Sequence, residues 1–357
     1  MAIKEQRNSN IELLRICSMF MIVIGHFTMQ NVIYNWNLCL NDYILYFMGS
    51  GARISTNIFL IISVYFMCDT NISVGVKISQ VYGQVIYYTY PLTIFSLIFF
   101  RNEIGLKNVM RSLLPFWGRG LWFASAYITL ILFVPILNQI EKSLNKKSFG
   151  LLVILCFIFV SFIATLPDLQ SAYICDSMWF IVVYLIIAYT KKYKVLFNFN
   201  KYAILAWGGG IGYTILTTFS YLAKIYNNII LSTLGRIAEQ YLNDIKTIPN
   251  FMIALFIFIF VLNLPVRHNK VIIKIAKVVF PVYIFHQVPS FYPILWKYVY
   301  KGQIWSIYHN LFWPLIVFAT ICLIVAILEW PRKKIFEQIW RNNKFVKKFS
   351  CWLESKY

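Results

Sequence analysis

The chain has 357 residues, of which 60% are hydrophobic and 13% charged, and it carries a formal net charge of +20. Soluble domains run at about 45–50% apolar and about 25% charged residues, so this composition excludes a soluble enzyme, a disordered tail protein and a small disulfide scaffold. It predicts an all-α, polytopic membrane helical bundle, and the abundance of Tyr, Phe and Trp suits aromatic belts at both membrane interfaces.

Crossing a hydrocarbon core of about 30 Å takes about 20 helical residues. Ten apolar runs meet or approach that length: 11–29, 43–67, 79–100, 121–140, 149–166, 177–190, 202–219, 249–265, 278–296 and 311–330. The sixth is short, and Pro281, Pro289 and Pro293 interrupt the ninth; both features are tolerated where a span packs inside protein or lines a cavity. The first run follows Lys4 and Arg7 as a signal peptide would. No small-x-small cleavage site follows Met29, however, so it reads as a retained span.

Within the seventh run, Gly208 and Gly212 have the small-x-x-x-small spacing of close helix packing. With the N-terminus inside, the inner segments carry 23 Lys and Arg residues and the outer loops nine, with Arg53 left inside a span. That bias predicts cytoplasmic N- and C-termini. Residues 1–331 form the membrane domain and 332–357 a basic cytoplasmic tail. Basic residues cluster between apolar runs, as in cytoplasmic loops, which argues against nucleic acid as a partner. The seven cysteines form no C-x-x-C pair and no metal-ligand spacing with the histidines. Cys39 and Cys175 both fall outside, and spacing leaves open whether they pair.

An ionisable residue inside a span is a functional candidate, and the first span holds Glu12, Arg15 and His26. Glu12 and Arg15, three apart, share a face. Arg15 and His26, eleven apart, differ by about 20° in azimuth and about 16 Å in rise. That spacing suggests one groove with a cation toward the inner end and an imidazole toward the outer. The alternatives are a snorkelling Arg and a His hydrogen-bonded at a helix end. Arg53 reads as a substrate contact or a packed structural cation. His286, beside Tyr283, reads as a second proton-transfer group or a helix-stabilising His. Glu329 reads as a structural partner of Arg332 or Lys333. Motifs of nucleotide hydrolases, metalloproteases and serine hydrolases are missing.

Six segments then stand in a telling order. Asn10-Ile11-Glu12-Leu13-Leu14-Arg15 is followed by ten residues and His26, and Gly51 to Phe66 holds a basic residue after a glycine and ends in Tyr65-Phe66. Trp122-Phe123 and Tyr127 precede Pro135-Ile136-Leu137-Asn138, and Trp179 to Tyr184 precedes Ala188-Tyr189. Phe280 to His286 and Leu328-Glu329-Trp330-Pro331 complete the set. Together, across residues 10–331, they resemble the acyltransferase-3 family of integral membrane acyltransferases, in the form that modifies surface polysaccharides in Gram-positive bacteria. The chain departs from that pattern at Ser55 and Val64, where the family has glycines, and at residues 77–84, which lack its basic pair.

The resemblance implies a multi-pass protein of the bacterial cell membrane, lodged in membrane lipid and without a metal. It implies transfer of an acyl group, usually acetyl, from cytoplasmic acetyl-CoA or another acyl-CoA to a hydroxyl of an extracytoplasmic polysaccharide or glycan. His26 and Arg15 are the implied catalytic residues, His26 as general base and Arg15 also as the donor's anion partner. Imidazole, with a pKa near 6.5, suits the base, and guanidinium suits a phosphate. Glu12, Arg53, Trp122, Tyr127, Tyr283 and His286 are further candidate substrate contacts. The alternative function is a transporter or flippase for a glycolipid or polysaccharide precursor. Its signature would be inverted repeats with paired broken helices, and the sequence has no matching halves.

Overall fold

The computed structural model describes residues 8–31, 36, 38–68, 73–116, 120–167, 175–195, 202–226, 228–299 and 307–355. Lys4, Arg7, Arg119, Lys201, Lys301 and Lys356, which contribute to the expected charge bias, lie outside them, as do Val32 and Ile33 of the segment searched for a cleavage site. The first helices are α1 (Ser9–Asn31), α2 (Leu40–Ser50), α3 (Ala52–Met67), α4 (Val74–Phe99), α5 (Leu106–Leu113) and α6 (Trp122–Ser143). Next come α7 (Lys146–Phe157), a π-helical turn (Ile158–Phe162) and α8 (Ile163–Thr165), then α9 (Asp176–Lys192), α10 (Tyr202–Ile225), α11 (Ile229–Asn243) and α12 (Ile248–Leu262). The chain continues through α13 (Lys270–Ala276), α14 (Val279–Gln287), α15 (Tyr292–Val299) and α16 (Ile307–Pro331). A second π-helical turn (Arg332–Phe336), α17 (Glu337–Asn342) and α18 (Lys344–Glu354) end it. No strand occurs among the described residues.

Helices stand at all ten expected positions, but length and apolarity support fewer spans. Among the described residues five helices are long and apolar enough to cross a membrane, and up to seven if each of two bent pairs counts as one span. The shortfall has local causes: α9 has only 17 residues, and Gln80, Gln84, Thr89 and Thr93 dilute α4. The short α9 is instead wrapped by protein, with Trp179, Phe180, Val183 and Tyr184 fully buried, against α3, α6 and α7. By contrast α7 exposes Leu151, Ile154 and Leu155, and α16 exposes Leu323 and Ile327, as helices facing lipid do.

At the centre, α1 packs on α2, α3, α12, α13, α14, α15 and α16. A buried polar lock ties α3 to α9 and α12: Trp179 Nε1 donates to Asn57 Oδ1 (2.9 Å), and Asn57 Nδ2 donates to Asn250 Oδ1 (3.0 Å) and to the Ile245 carbonyl (2.7 Å). Such groups must be satisfied internally where no water is at hand. Glu329, 4% exposed at its side chain, takes a fork from Arg332 (2.5 and 2.9 Å) and bonds from Lys333 (3.1 Å) and Tyr88 (2.9 Å); it is paired as the sequence suggested. Of the two glycines read as a packing pair, the surroundings of Gly208 lie outside the described residues; a Cβ on Gly212 would meet nothing within 4 Å, and one on Gly209 would touch Ile253 of α12. Cys39 and Cys175 are both free, exposed thiols.

Candidate active site

Two glycine-level contacts set α1 against α2 and α3. A Cβ on Gly25 would lie 2.3 Å from Ala52 Cβ, and one on Gly49 would lie 2.2 Å from Thr28 Oγ1. Small residues at such a crossing let helices approach where no hydrophobic force drives them together. The crossing places His26 on the wall of a cavity of about 430 Å³. Met19, Ile22, Gly25 and His26 of α1 line one side; Tyr46, Ser50, Arg53, Thr56, Trp122, Glu239, Asn243 and Tyr283 are among the others.

Proline chemistry brings the second histidine to this wall. Pro281 is the third residue of α14 and costs no hydrogen bond there, because the first turn's N–H groups have no intrahelical acceptor. Pro289 follows the end of α14, and α15 leaves at a bend of 94° from the preceding helical segment. His286 thereby comes to 5.5 Å from His26, ring centre to ring centre, and Tyr292 of α15 to 5.8 Å. Tyr292 Oη lies 3.3 Å from His26 Nδ1. His286 is fully buried, and its Nδ1 sits 2.6 Å from the Val282 carbonyl. That carbonyl can only accept, so Nδ1 carries the proton and Nε2 presents its lone pair. Nε2 is buried with no hydrogen-bond partner.

Arg53, near the start of α3, holds its guanidinium over Trp122, 5.7 Å from the ring centroid. Tyr283 accepts the Phe123 N–H at the start of α6 (3.2 Å), so its hydroxyl caps a helix end that places Trp122. At the α15 end, Glu103 accepts from Lys297 (2.8 Å) and Tyr298 (2.8 Å); hydrogen bonds from these two residues hold its carboxyl below the usual range. This joins the turn after α4 to the helix that carries Tyr292.

The expected residues thus divide. His26, Arg53, Trp122 and Tyr283 share the cavity, and His286 stands behind His26. Tyr127 is absent from the cavity lining and packs near Phe123 and Phe280. Arg15 lies one helical turn beyond Met19, where the lining ends. It donates to Glu12 at 2.7 Å and lies over Phe66. Arg15 and Glu12 are therefore outside the His26 cavity, at the other end of the same α1 face. Sequence reading missed Tyr292, Glu239, Asn243 and Gly25. Gly25, adjacent to His26, was the one of these with a visible signal. Among the described residues no group of three His, Cys, Asp or Glu side chains is placed to hold a metal ion.

Gly25→Ala is expected to push α1 from α3 and displace His26, lowering activity about tenfold or more, since an ångström of misplacement can cost about a hundredfold. Adding Ala52→Gly removes the nearest clash and should recover most of the loss. Activity per unit of folded protein in the single and double variants checks it.

Compared with known proteins, residues 8–329 match the model of the acyltransferase-3 family, described as an acyltransferase domain. No curated protein and no solved structure matches the chain.

Proposed function

Because the chain belongs to the acyltransferase-3 family of membrane acyltransferases, we propose that it moves an acetyl group from acetyl-CoA on the cytoplasmic side to a hydroxyl of a carbohydrate on the other side of the cell membrane. One observation carries this reading: His26 lines a cavity that also holds a cation and an aromatic face, with a buried neutral imidazole and a phenol behind it.

In this reaction the acceptor hydroxyl enters the cavity against Trp122, whose face suits a sugar ring. His26 takes the hydroxyl proton as its oxygen attacks the thioester carbonyl carbon. The C–O bond forms, the oxyanion is met by Arg53, and the C–S bond breaks. The departing thiolate takes the proton back from the imidazolium. An alcohol is a poor nucleophile until its proton is leaving, which is why a base near pH 7 helps. A fixed cation in a site that excludes water stabilises the oxyanion without reorganising. In the tautomer this role needs, His26 Nδ1–H donates to the Tyr292 hydroxyl and Nε2 is the basic nitrogen. Arg15 and Glu12 mark the donor's side, one turn beyond the cavity.

The test is turnover by the purified protein in liposomes. Coenzyme A release from labelled acetyl-CoA should depend on a glycan hydroxyl supplied in the opposite compartment, with label recovered as ester. Release that needs no acceptor, or no release with any acyl-CoA, overturns the reading.

Orientation follows from the charge bias and is tested separately. Cys39, exposed at the start of α2, is expected to react with an impermeant thiol reagent on intact cells when the other cysteines are replaced. Labelling only after permeabilisation would reverse the orientation.

A further inference from the structure

The last helices do not form a loose tail. From Phe312 to Asn342 the chain runs as one 31-residue helical rod, about 46 Å long. That is long enough to cross a hydrocarbon core of about 30 Å, and Asn343, in extended backbone, ends the rod. Asn343 Oδ1 caps α18 by accepting from Phe345 N (2.9 Å) and Val346 N (3.3 Å). Helix α18 then docks beside the first turns of α4. Glu354 accepts from Ser73 Oγ (2.6 Å) and Gly75 N (2.8 Å), and Trp340 Nε1 donates to the Ser79 carbonyl (2.9 Å). A Cβ on Gly75 would lie 2.4 Å from the Ser350 carbonyl oxygen.

Docking uses one stripe of α18, that of Val346, Ser350 and Leu353; Leu353 is 7% exposed. A second apolar stripe lies about 100° round the helix. It comprises Phe345, Phe349 and Trp352, which are 77%, 40% and 55% exposed. Lys344 and Lys348 flank this stripe on the side away from α4. Ile335 and Ile339 extend the exposed apolar surface onto the preceding turn and α17, at 56% and 65%. Between residues 332 and 348 the chain has seven basic residues and one acidic residue.

We propose that α18 is an amphipathic foot that seats on anionic phospholipid, with Phe345, Phe349 and Trp352 inserted and Lys344 and Lys348 on lipid phosphates. Two features select this occupant: the flanking lysines and the exposed aromatic stripe. A basic, aromatic helix face binds a membrane surface by buried apolar area plus attraction to anionic headgroups. Because α18 grips the first turn of α4, lipid charge also fixes that end of α4 against the bundle. The proposal needs only a membrane protein and is independent of the acyl donor and acceptor.

The test uses the full-length protein with one reporting cysteine, at Phe349→Cys, and the native cysteines replaced by serine. The spin-labelled protein is placed in nanodiscs of phosphatidylcholine, with or without about a third phosphatidylglycerol. With anionic lipid, the label should be accessible to oxygen and shielded from a water-soluble nickel chelate. Each lysine is worth about fivefold in partitioning near an anionic surface, so K344E with K348E should cut the shielded population by about tenfold or more. Hydrogen exchange at the Gly75 amide should stay slow in that variant, showing that α18 still holds α4. Equal nickel access in both lipids overturns the proposal, as does shielding that persists in neutral discs after charge reversal. Shielding in detergent by a co-purifying protein would assign the face to a protein partner and would equally overturn it.

Discussion

His26→Ala is expected to lower acyl transfer by about 10²–10⁴-fold, the usual worth of a positioned general base, with little change in the amount of inserted protein. The fold does not lean on this imidazole. The crossing of α1 with α2 and α3 is made by Gly25, Gly49 and Ala52, and among the described residues the His26 ring's hydrogen-bond partner is Tyr292, at 3.3 Å. Two companion variants give the result its meaning. Tyr292→Phe keeps the aromatic contact and loses the hydroxyl, so it should cost several-fold, chiefly in kcat. His286→Gln keeps a polar group in a fully buried position and should alter the pH profile more than donor affinity. Initial rates in liposomes over pH 5 to 9, per unit of protein, read all three. Should His26→Ala keep more than about a tenth of the activity, the base is another group, and His286 becomes the first candidate.

Arg15→Ala is the second large effect, and the structure shows why it must be read with a partner variant. The Arg15 guanidinium donates to Glu12 at 2.7 Å, and the Glu12 side chain is 4% exposed against 18% for Arg15. Breaking a buried pair by removing one partner typically costs about 3–5 kcal/mol, enough to unfold many proteins. Loss of activity in Arg15→Ala alone therefore does not separate donor binding from a weakened first helix. Glu12→Gln combined with Arg15→Ala removes the buried charge. If Arg15 contacts the phosphates of the donor, the double variant should insert normally and still show KM for acetyl-CoA raised about tenfold or more. Arg15→Lys should be intermediate, keeping the charge but losing the planar fork. Return of normal donor affinity in the double variant would make Arg15 a neutralising partner of Glu12 and end its role as a donor contact.

The fold class was open to reading because transfer of apolar side chains out of water is a local, additive quantity. Runs of 14 to 25 residues with few charges leave helices as the economical way to satisfy the backbone in lipid, and the structure has helices at each of those runs. Periodicity was equally legible: Arg15, Met19, Ile22 and His26 share a face of α1 because the helix repeat puts them there. The pairing of Glu329 with Arg332 and Lys333 was also within reach, since residues three and four apart are neighbours on any helix.

What joins at the cavity lay beyond that kind of reasoning. His286 and Tyr292 are 260 and 266 residues from His26, and their approach depends on a 94° bend whose direction Pro289 alone does not set. Trp122 is placed by a hydroxyl on α14 that caps α6, a bond between segments 160 residues apart. Arg15 and His26, alike in azimuth, are separated because the cavity lining ends at Met19. In the same way, that Gly209 rather than Gly212 touches α12 depends on where the partner helix lies. Helix propensity, span length and charge bias act within a few turns of chain, so composition and spacing were enough for them. The site is made of contacts across hundreds of residues, and these exist only once packing has chosen crossing points, bend angles and depths.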